Sequence, residues 1–102
     1  PPKVLVSGYY APFLPSLTCS DTKGLSVRDQ SWLNSQVGLM NRTLRNATQS
    51  YSFAEYVPIS FSGHELCSRQ PWIQGRADAE PFHPTVNGQR AIAEAMLRVY
   101  VR

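Results

Sequence analysis

The chain lacks the features that mark several large protein classes. None of its 102 residues falls in an apolar run near the roughly 20 residues that a membrane-spanning helix needs, and its start does not resemble a signal peptide. Its 10 basic and 7 acidic side chains are scattered singly, whereas a phosphate-binding surface normally needs a clustered basic face. The sequence therefore predicts neither a transmembrane protein nor a nucleic-acid-binding protein.

Cysteine is scarce as well. Cys19 and Cys67 are the two in the sequence, 48 positions apart, with no CxxC motif and no histidine at zinc-ligand spacing. A zinc site or a thioredoxin-type motif is therefore disfavoured, and neither a metal nor a cofactor is predicted. A disulfide between the two is the better interpretation, because exported small folds retain such bridges. N-glycosylation sequons at Asn41 and Asn46 agree with export.

The composition is that of one folded domain over residues 1–102. Hydrophobic residues make up 42% and charged residues 17% of the chain, which is typical of a globular protein and leaves no room for a second core. The chain opens with Pro1-Pro2 and runs directly into an apolar segment. We interpret this as an internal start, left by processing, proteolysis or the choice of expressed region.

Two strands are predicted. Residues 3–7 contain Val4, Leu5 and Val6, the continuous apolar run of a strand covered on both faces in a parallel sheet. Residues 52–59 are rich in aromatic and β-branched side chains, and Pro58 belongs at an edge or a strand end because it cannot donate a hydrogen bond.

Two helices alternate with these strands. Ser26 followed by Asp29 predicts the start of the first helix, and a final helix is predicted from near Thr85. The first helix carries an apolar stripe of Leu33, Val37, Met40, Leu44 and Ala47, spaced as one helical face. The final helix is predicted to turn Ile92, Met96 and Val99 inward and Arg90, Glu94 and Arg98 outward.

The order strand, helix, strand, helix predicts parallel strands joined by crossover helices. Two strands would leave apolar faces in water, so we infer that a segment N-terminal to residue 1 supplies the missing strands. Between the second strand and the last helix, residues 60–84 form a long irregular segment that holds both histidines. Loops of this length inside a domain are usually functional.

His83 is the strongest candidate for chemistry. It lies in the segment Glu80-Pro81-Phe82-His83-Pro84, and a histidine fixed by such neighbours suits a general base. The carboxylate of Glu80 could reach the other ring nitrogen, fix the tautomer and stabilise the imidazolium. The structural alternative is that His83 only bonds a loop carbonyl.

Four segments resemble the C-terminal half of the SGNH hydrolase, or GDSL lipase and esterase, family, most closely its actinobacterial secreted members. In chain order they are VLVSGYY (4–10), GHELC (63–67), PWI (71–73) and FHPTVNGQ (82–89). The resemblance implies an α/β fold, the C-terminal part of a three-layer α/β/α, flavodoxin-like sandwich with a parallel sheet and catalytic residues at the carboxyl ends of the strands. It also implies a secreted or cell-envelope location, an ester substrate, and His83 as the catalytic histidine.

The sequence departs from the family in two places. The family usually has aspartate three residues before its histidine, where this chain has Glu80; Asp78 or a backbone carbonyl are the other candidates to orient His83. The Gly-Asp-Ser segment with the nucleophile, and the glycine and asparagine of the oxyanion hole, have no counterpart. None of the serines weighed lies in an activating context; these are Ser7, Ser20, Ser60 and Ser62. The chain alone is therefore expected to be inert until an N-terminal segment supplies the serine.

Three aromatic residues are candidates to bind substrate. Tyr9 and Tyr10 follow the first strand, where they could line an acyl or leaving-group pocket or simply pack at its rim. Trp72 could shelter the pocket from water or cover the loop around Cys67. His64 is interpreted as a residue that braces that loop.

Two rival hypotheses are kept. One is a catalytically inactive binding or interaction module on the same scaffold, since a fold does not guarantee a function. The other is a degradation fragment without a role of its own. A Gly-Asp-Ser segment upstream in the parent sequence would favour the enzyme, and a parent without that serine would favour the binding module.

Overall fold

The four predicted elements are present and in the predicted order. The structure, a computed structural model, describes residues 3–102; Pro1 and Pro2, at the interpreted internal start, lie outside the described residues. Strand β1 spans Val4–Ser7, helix α1 Val27–Gln49, strand β2 Ala54–Val57 and helix α2 Val86–Tyr100. A short 3-10 turn, Ser20–Thr22, lies between β1 and α1. The α/β prediction is confirmed.

The two strands pair in parallel, with Val4 beside Ala54 and Ser7 beside Val57. The amide of Gly8 continues the ladder by donating to the carbonyl of Val57 at 2.8 Å. Strand β2 is shorter than the predicted 52–59 and ends just before Pro58, as the missing proline N–H requires. Within residues 3–102 the sheet has only these two strands.

Helix α1 begins at the predicted cap. The amide of Asp29 donates to Ser26 Oγ at 3.0 Å, and the amide of Ser26 donates to Asp29 Oδ2 at 3.1 Å, so each residue satisfies the other's free N–H. The apolar stripe is only partly covered, because Met40 is 42% exposed and Ala47 is exposed as well. The fully buried side chains of α1 are the polar Gln30 and Thr48.

Helix α2 is capped by Thr85, whose Oγ1 accepts from the amide of Gly88 at 3.2 Å. Its predicted inner side chains, Ile92, Met96 and Val99, are half-buried, and its predicted outer ones, Arg90, Glu94 and Arg98, are exposed. The two faces of α2 are therefore arranged as the sequence pattern predicts.

The best-buried core lies beneath the irregular segment 60–84. Its members are Tyr10, Phe13, Phe61, Leu66 and Ile73. The ring of Tyr10 stacks on Phe61 with centroids 4.3 Å apart, and Trp72 meets Phe61 edge-on at 5.4 Å. Aromatic rings bury large areas, and such paired geometries add stabilisation beyond the area. Three of these core residues belong to the long loop and two to the segment after β1, so the loop is held by packing against that segment.

The predicted disulfide is confirmed. Cys19 and Cys67 are bonded, with Cα atoms 5.8 Å apart. The bridge joins the segment before α1 to the 60–84 loop, and the amide of Arg76 reinforces the same junction by donating to the carbonyl of Asp21 at 3.2 Å.

Reducing this bridge should lower the free energy of unfolding of the chain by about 2 to 5 kcal/mol. The reason is that the intact disulfide closes a loop of 48 residues in the unfolded state. Thermal melting with and without dithiothreitol measures the effect. A double variant, Cys19→Ser with Cys67→Ser, should have the melting temperature of the reduced wild type, and dithiothreitol should not change it. Equal melting of the wild type in both conditions would contradict a stabilising role.

Gly88 and Gly38 form a matched pair for testing how α2 packs. A Cβ at Gly88 would lie 2.3 Å from the backbone carbonyl oxygen of Trp72, whereas a Cβ at Gly38 meets nothing within 4 Å. Gly88→Ala should therefore destabilise the chain, while Gly38→Ala should stabilise it by up to about 1 kcal/mol through helix propensity. Denaturant unfolding of both variants measures the difference. A stabilising Gly88→Ala would show that α2 does not need this close approach.

Candidate active site

Gln74 holds the backbone around His83 from both sides. Its main-chain amide donates to the carbonyl of His83 at 2.8 Å, and its carbonyl accepts from the amide of Phe82 at 2.9 Å. Its side chain accepts from the amide of Glu80 at 3.1 Å and donates to the carbonyl of Pro84 at 3.3 Å. All four polar groups of Gln74 therefore bond to residues 80–84, which fixes the path of the chain through the histidine.

The imidazole of His83 is exposed, and its Nδ1 lies 3.1 Å from the carbonyl oxygen of Pro81. Because a carbonyl only accepts, this contact favours the tautomer with the proton on Nδ1. The lone pair of Nε2 is then free to take a proton from another molecule or segment. This is the arrangement that a general base requires.

Of the three predicted orienting groups, the structure places a backbone carbonyl on the ring. Within residues 3–102 no carboxylate lies at ion-pair distance from His83. The side chain of Glu80 is exposed, and the carboxylate of Asp78 accepts from the amide of Gly75 at 2.7 Å. Asp78 therefore closes the turn that precedes the histidine segment.

Phe82 has the left-handed backbone conformation, with φ of 67°. Such a conformation costs a residue other than glycine on the order of 1 to 3 kcal/mol and persists only where its surroundings impose it. Here both polar groups of Phe82 are bonded: the amide to Gln74, and the carbonyl to the hydroxyl of Tyr10 at 2.8 Å.

An apolar groove lies beside the histidine segment, between the start of the first loop and α1. Its volume is about 390 Å³. It is lined by Tyr9, Pro12, Phe13, Leu25, Leu33, Gln36, Val37, Met40 and Phe82. Phe82, the residue before His83, forms part of its wall, so the groove and His83 lie in one region of the surface.

The three predicted substrate-binding aromatics lie in different places. Tyr9 lines the groove, whereas Tyr10 is buried beneath it with 2% of its surface exposed. Trp72 stacks on His64 with ring centroids 3.7 Å apart, and its carbonyl accepts from the amide of Thr85 at 2.8 Å. Trp72 therefore connects the loop to the start of α2 instead of lining the groove.

His64 is held inside its own loop. Its Nδ1 lies 2.8 Å from the carbonyl of Gln70, and its ring is covered by Trp72. These contacts agree with its interpretation as a bracing residue. Unlike His83, it has one face of its ring occupied by an aromatic neighbour.

The described residues do not pair a serine with His83. Within residues 3–102 no serine hydroxyl is bonded to the ring of His83, and Ser60 Oγ instead accepts from the amide of Ser62 at 3.2 Å. Over the same residues no group of three or more histidine, cysteine, aspartate or glutamate side chains could hold a metal ion. No helix in the described part of the chain is long and apolar enough to cross a membrane.

Two features of the site are not visible in the sequence pattern. Gln74 sits in an irregular segment, and nothing in its neighbours indicates that it pairs with residues six to ten positions later. The left-handed Phe82 also carries no signal, because glycine is the residue that normally marks such a conformation. Both depend on how the loop folds over its aromatic core.

No family model matches the chain, but individual relatives do. A lipase of Streptomyces rimosus is 34% identical over 91 residues, which are 85% of this chain and 33% of that protein. Lipase 1 of Streptomyces coelicolor is 34% identical over 91 residues, covering 84% of this chain and 32% of its own. The chain thus spans about a third of the length of the curated relatives it matches.

A solved structure is similar over nearly the whole chain. The crystal structure of the extracellular lipase from Streptomyces rimosus superposes with a TM-score of 0.80 at 29% identity, covering 95% of this chain and 42% of that one. The parallel strand pair with its helices is therefore part of a larger α/β fold in that lipase. Sequence and structure together show that this chain is similar to part of the Streptomyces lipases, in agreement with its predicted resemblance to the SGNH, or GDSL, lipase and esterase family.

Proposed function

We propose that this chain is the base-bearing part of a secreted serine carboxylic ester hydrolase, with His83 as general base and then general acid. The observation that carries the proposal is the imidazole itself, which is exposed and has its Nδ1 turned to the Pro81 carbonyl at 3.1 Å. The similarity to extracellular Streptomyces lipases supports an ester substrate and a location outside the cell.

The nucleophile in this proposal is a serine in an N-terminal segment of the same enzyme, outside these 102 residues. His83 Nε2 takes the proton as the serine oxygen attacks the ester carbonyl, and the resulting imidazolium is stabilised by its Nδ1–H bond to Pro81. It returns the proton to the leaving alkoxide as the tetrahedral intermediate collapses to the acyl-enzyme. Water then attacks the acyl-enzyme while His83 takes its proton, and His83 returns that proton to the serine oxygen as the carboxylic acid leaves.

Glu80 keeps a proposed supporting role. Its main chain holds the histidine segment, because its carbonyl accepts from the amide of His83 at 3.1 Å and its amide donates to Gln74 Oε1 at 3.1 Å. Its carboxylate is exposed, and solvent screens exposed charges strongly. The carbonyl of Pro81 is therefore the main orienting group of the proposal.

The apolar groove is proposed to hold the acyl chain of the substrate. Tyr9 and Phe82 form part of its wall, and Leu33, Val37 and Met40 of α1 form another part. A volume of about 390 Å³ is in the usual range for small-molecule sites. Each buried methylene of an acyl chain contributes about 0.8 kcal/mol, so the groove should favour medium-length acyl esters over acetate.

His83→Ala, made in the longer protein that joins this chain to its serine-bearing segment, should lower kcat for a p-nitrophenyl ester by at least about a thousandfold, because the serine loses its base. His64→Ala is the matched control and should keep kcat within a few-fold. The 102-residue chain alone should release p-nitrophenol no faster than buffer does.

The same measurement separates the rival hypotheses. An inactive binding module would show no turnover in the longer protein, with or without His83. An enzyme that used another base would keep near-normal turnover in His83→Ala, and this result would overturn the assignment.

Val37→Asp tests the groove. In the longer protein, a carboxylate there should lower kcat/KM for p-nitrophenyl octanoate by about tenfold or more, since the acyl chain would have to desolvate a charge. The value for p-nitrophenyl acetate should change little. Leu39→Asp, also on α1 but outside the groove lining, is the matched control. An equal loss for both esters in Val37→Asp would show that the groove does not bind the acyl chain.

A further inference from the structure

The peptide that joins Phe82 to His83 is fixed at both of its polar atoms. Its carbonyl accepts from Tyr10 Oη at 2.8 Å, and its N–H, which belongs to His83, donates to the carbonyl of Glu80 at 3.1 Å. The orientation of this peptide sets where the imidazole begins. Because Phe82 is in the left-handed conformation, the peptide needs these bonds to stay in place.

The side chain of Tyr10 lies in the core, and its hydroxyl is a hydrogen-bond donor. Its ring is stacked within 4° of parallel on Phe61, and its hydroxyl lies 3.2 Å from that of Tyr9. Since the Phe82 carbonyl can only accept, Tyr10 donates to it and Tyr9 donates to Tyr10. Burial, together with the bond and the charge of Tyr9, raises the pKa of the Tyr10 hydroxyl far above its usual range, so it remains protonated.

Two asparagines of α1 hold the segment that carries Tyr10. Asn41 accepts from the amide of Tyr9 at 2.8 Å and donates to its carbonyl at 2.9 Å. Asn34 pairs with Phe13 in the same way, at 3.3 and 2.8 Å. The two asparagines are seven positions apart and so share one helix face. Tyr10 is thereby fixed between two points of a rigid helix.

We propose that Tyr10 is a positioning residue for His83, acting through the carbonyl of Phe82; the proposal rests on the proposed role of His83 as base. The predicted substrate-binding role of Tyr10 gives way to this one, because its buried hydroxyl is already engaged. Tyr10 does not touch the imidazole. It fixes the orientation of the Phe82–His83 peptide, and that orientation places the imidazole Nδ1 beside the Pro81 carbonyl.

Tyr10→Phe keeps the stacked ring and removes only the hydroxyl. In the longer protein it should lower kcat about 10- to 100-fold with KM within about threefold, because a small misplacement of a catalytic group is costly while substrate binding is unaffected. Nitrogen-15 NMR of the histidine side chains should show His83 shifting from the Nδ1–H tautomer toward Nε2–H. Tyr51→Phe, at an exposed tyrosine, is the matched control and should change neither readout.

The outcomes separate this proposal from the one it rests on. If His83→Ala keeps activity, the proposed function fails whatever Tyr10→Phe does. If His83→Ala is inactive but Tyr10→Phe matches Tyr51→Phe in kcat and in the His83 tautomer, the positioning role is overturned and the base role stands. Should Tyr10→Phe fail to fold, Tyr10→Phe is combined with Phe82→Gly, since glycine adopts the left-handed conformation without strain, and is compared with Phe82→Gly alone. A His83 tautomer that shifts only when the Tyr10 hydroxyl is removed supports the proposal, and equal tautomers overturn it.

Discussion

The stack of Tyr10 on Phe61 is the contact on which the rest of the site depends. It joins the chain leaving β1 to the start of the 60–84 loop, and the other core side chains, Phe13, Leu66 and Ile73, gather around it. A loop of that length has few ladder hydrogen bonds to define it, so side-chain burial must do so. Once the loop is packed, Gln74 can pair with residues 80–84 and the histidine segment has one path.

The elements were predictable because each carries a local signal, whereas the site was predictable only in part. The Ser26 cap and the apolar run of β1 follow from adjacent residues and need no knowledge of the fold. The proposed base, His83, was predictable from a motif of neighbouring residues. The group that orients its ring was not predictable, because whether Glu80 or a carbonyl reaches Nδ1 depends on the left-handed conformation of Phe82. That conformation is imposed by Tyr10 and Gln74, which are distant in the sequence.

The elements around the sheet are only partly covered in the described residues. Val4 on β1 is 44% exposed, and Trp32 on α1 is 60% exposed, so apolar surface that a three-layer sandwich would cover meets solvent here. A two-stranded pair is marginal by itself. The disulfide and the aromatic core, in contrast, both involve residues of the 60–84 loop. His83 belongs to this segment, so its position is defined by the packing of the loop.

A carbonyl partner at Nδ1 has consequences that a carboxylate would not have. It gives less electrostatic stabilisation to the imidazolium, because it carries a partial rather than a full charge. It also has no ionisable proton, so its acceptor oxygen is the same at every pH, whereas a carboxylate would lose its charge when protonated. The orientation of His83 therefore depends on the backbone instead of on a charged side chain. It is as well defined as the backbone around His83, which Gln74, Tyr10 and the core packing hold in place.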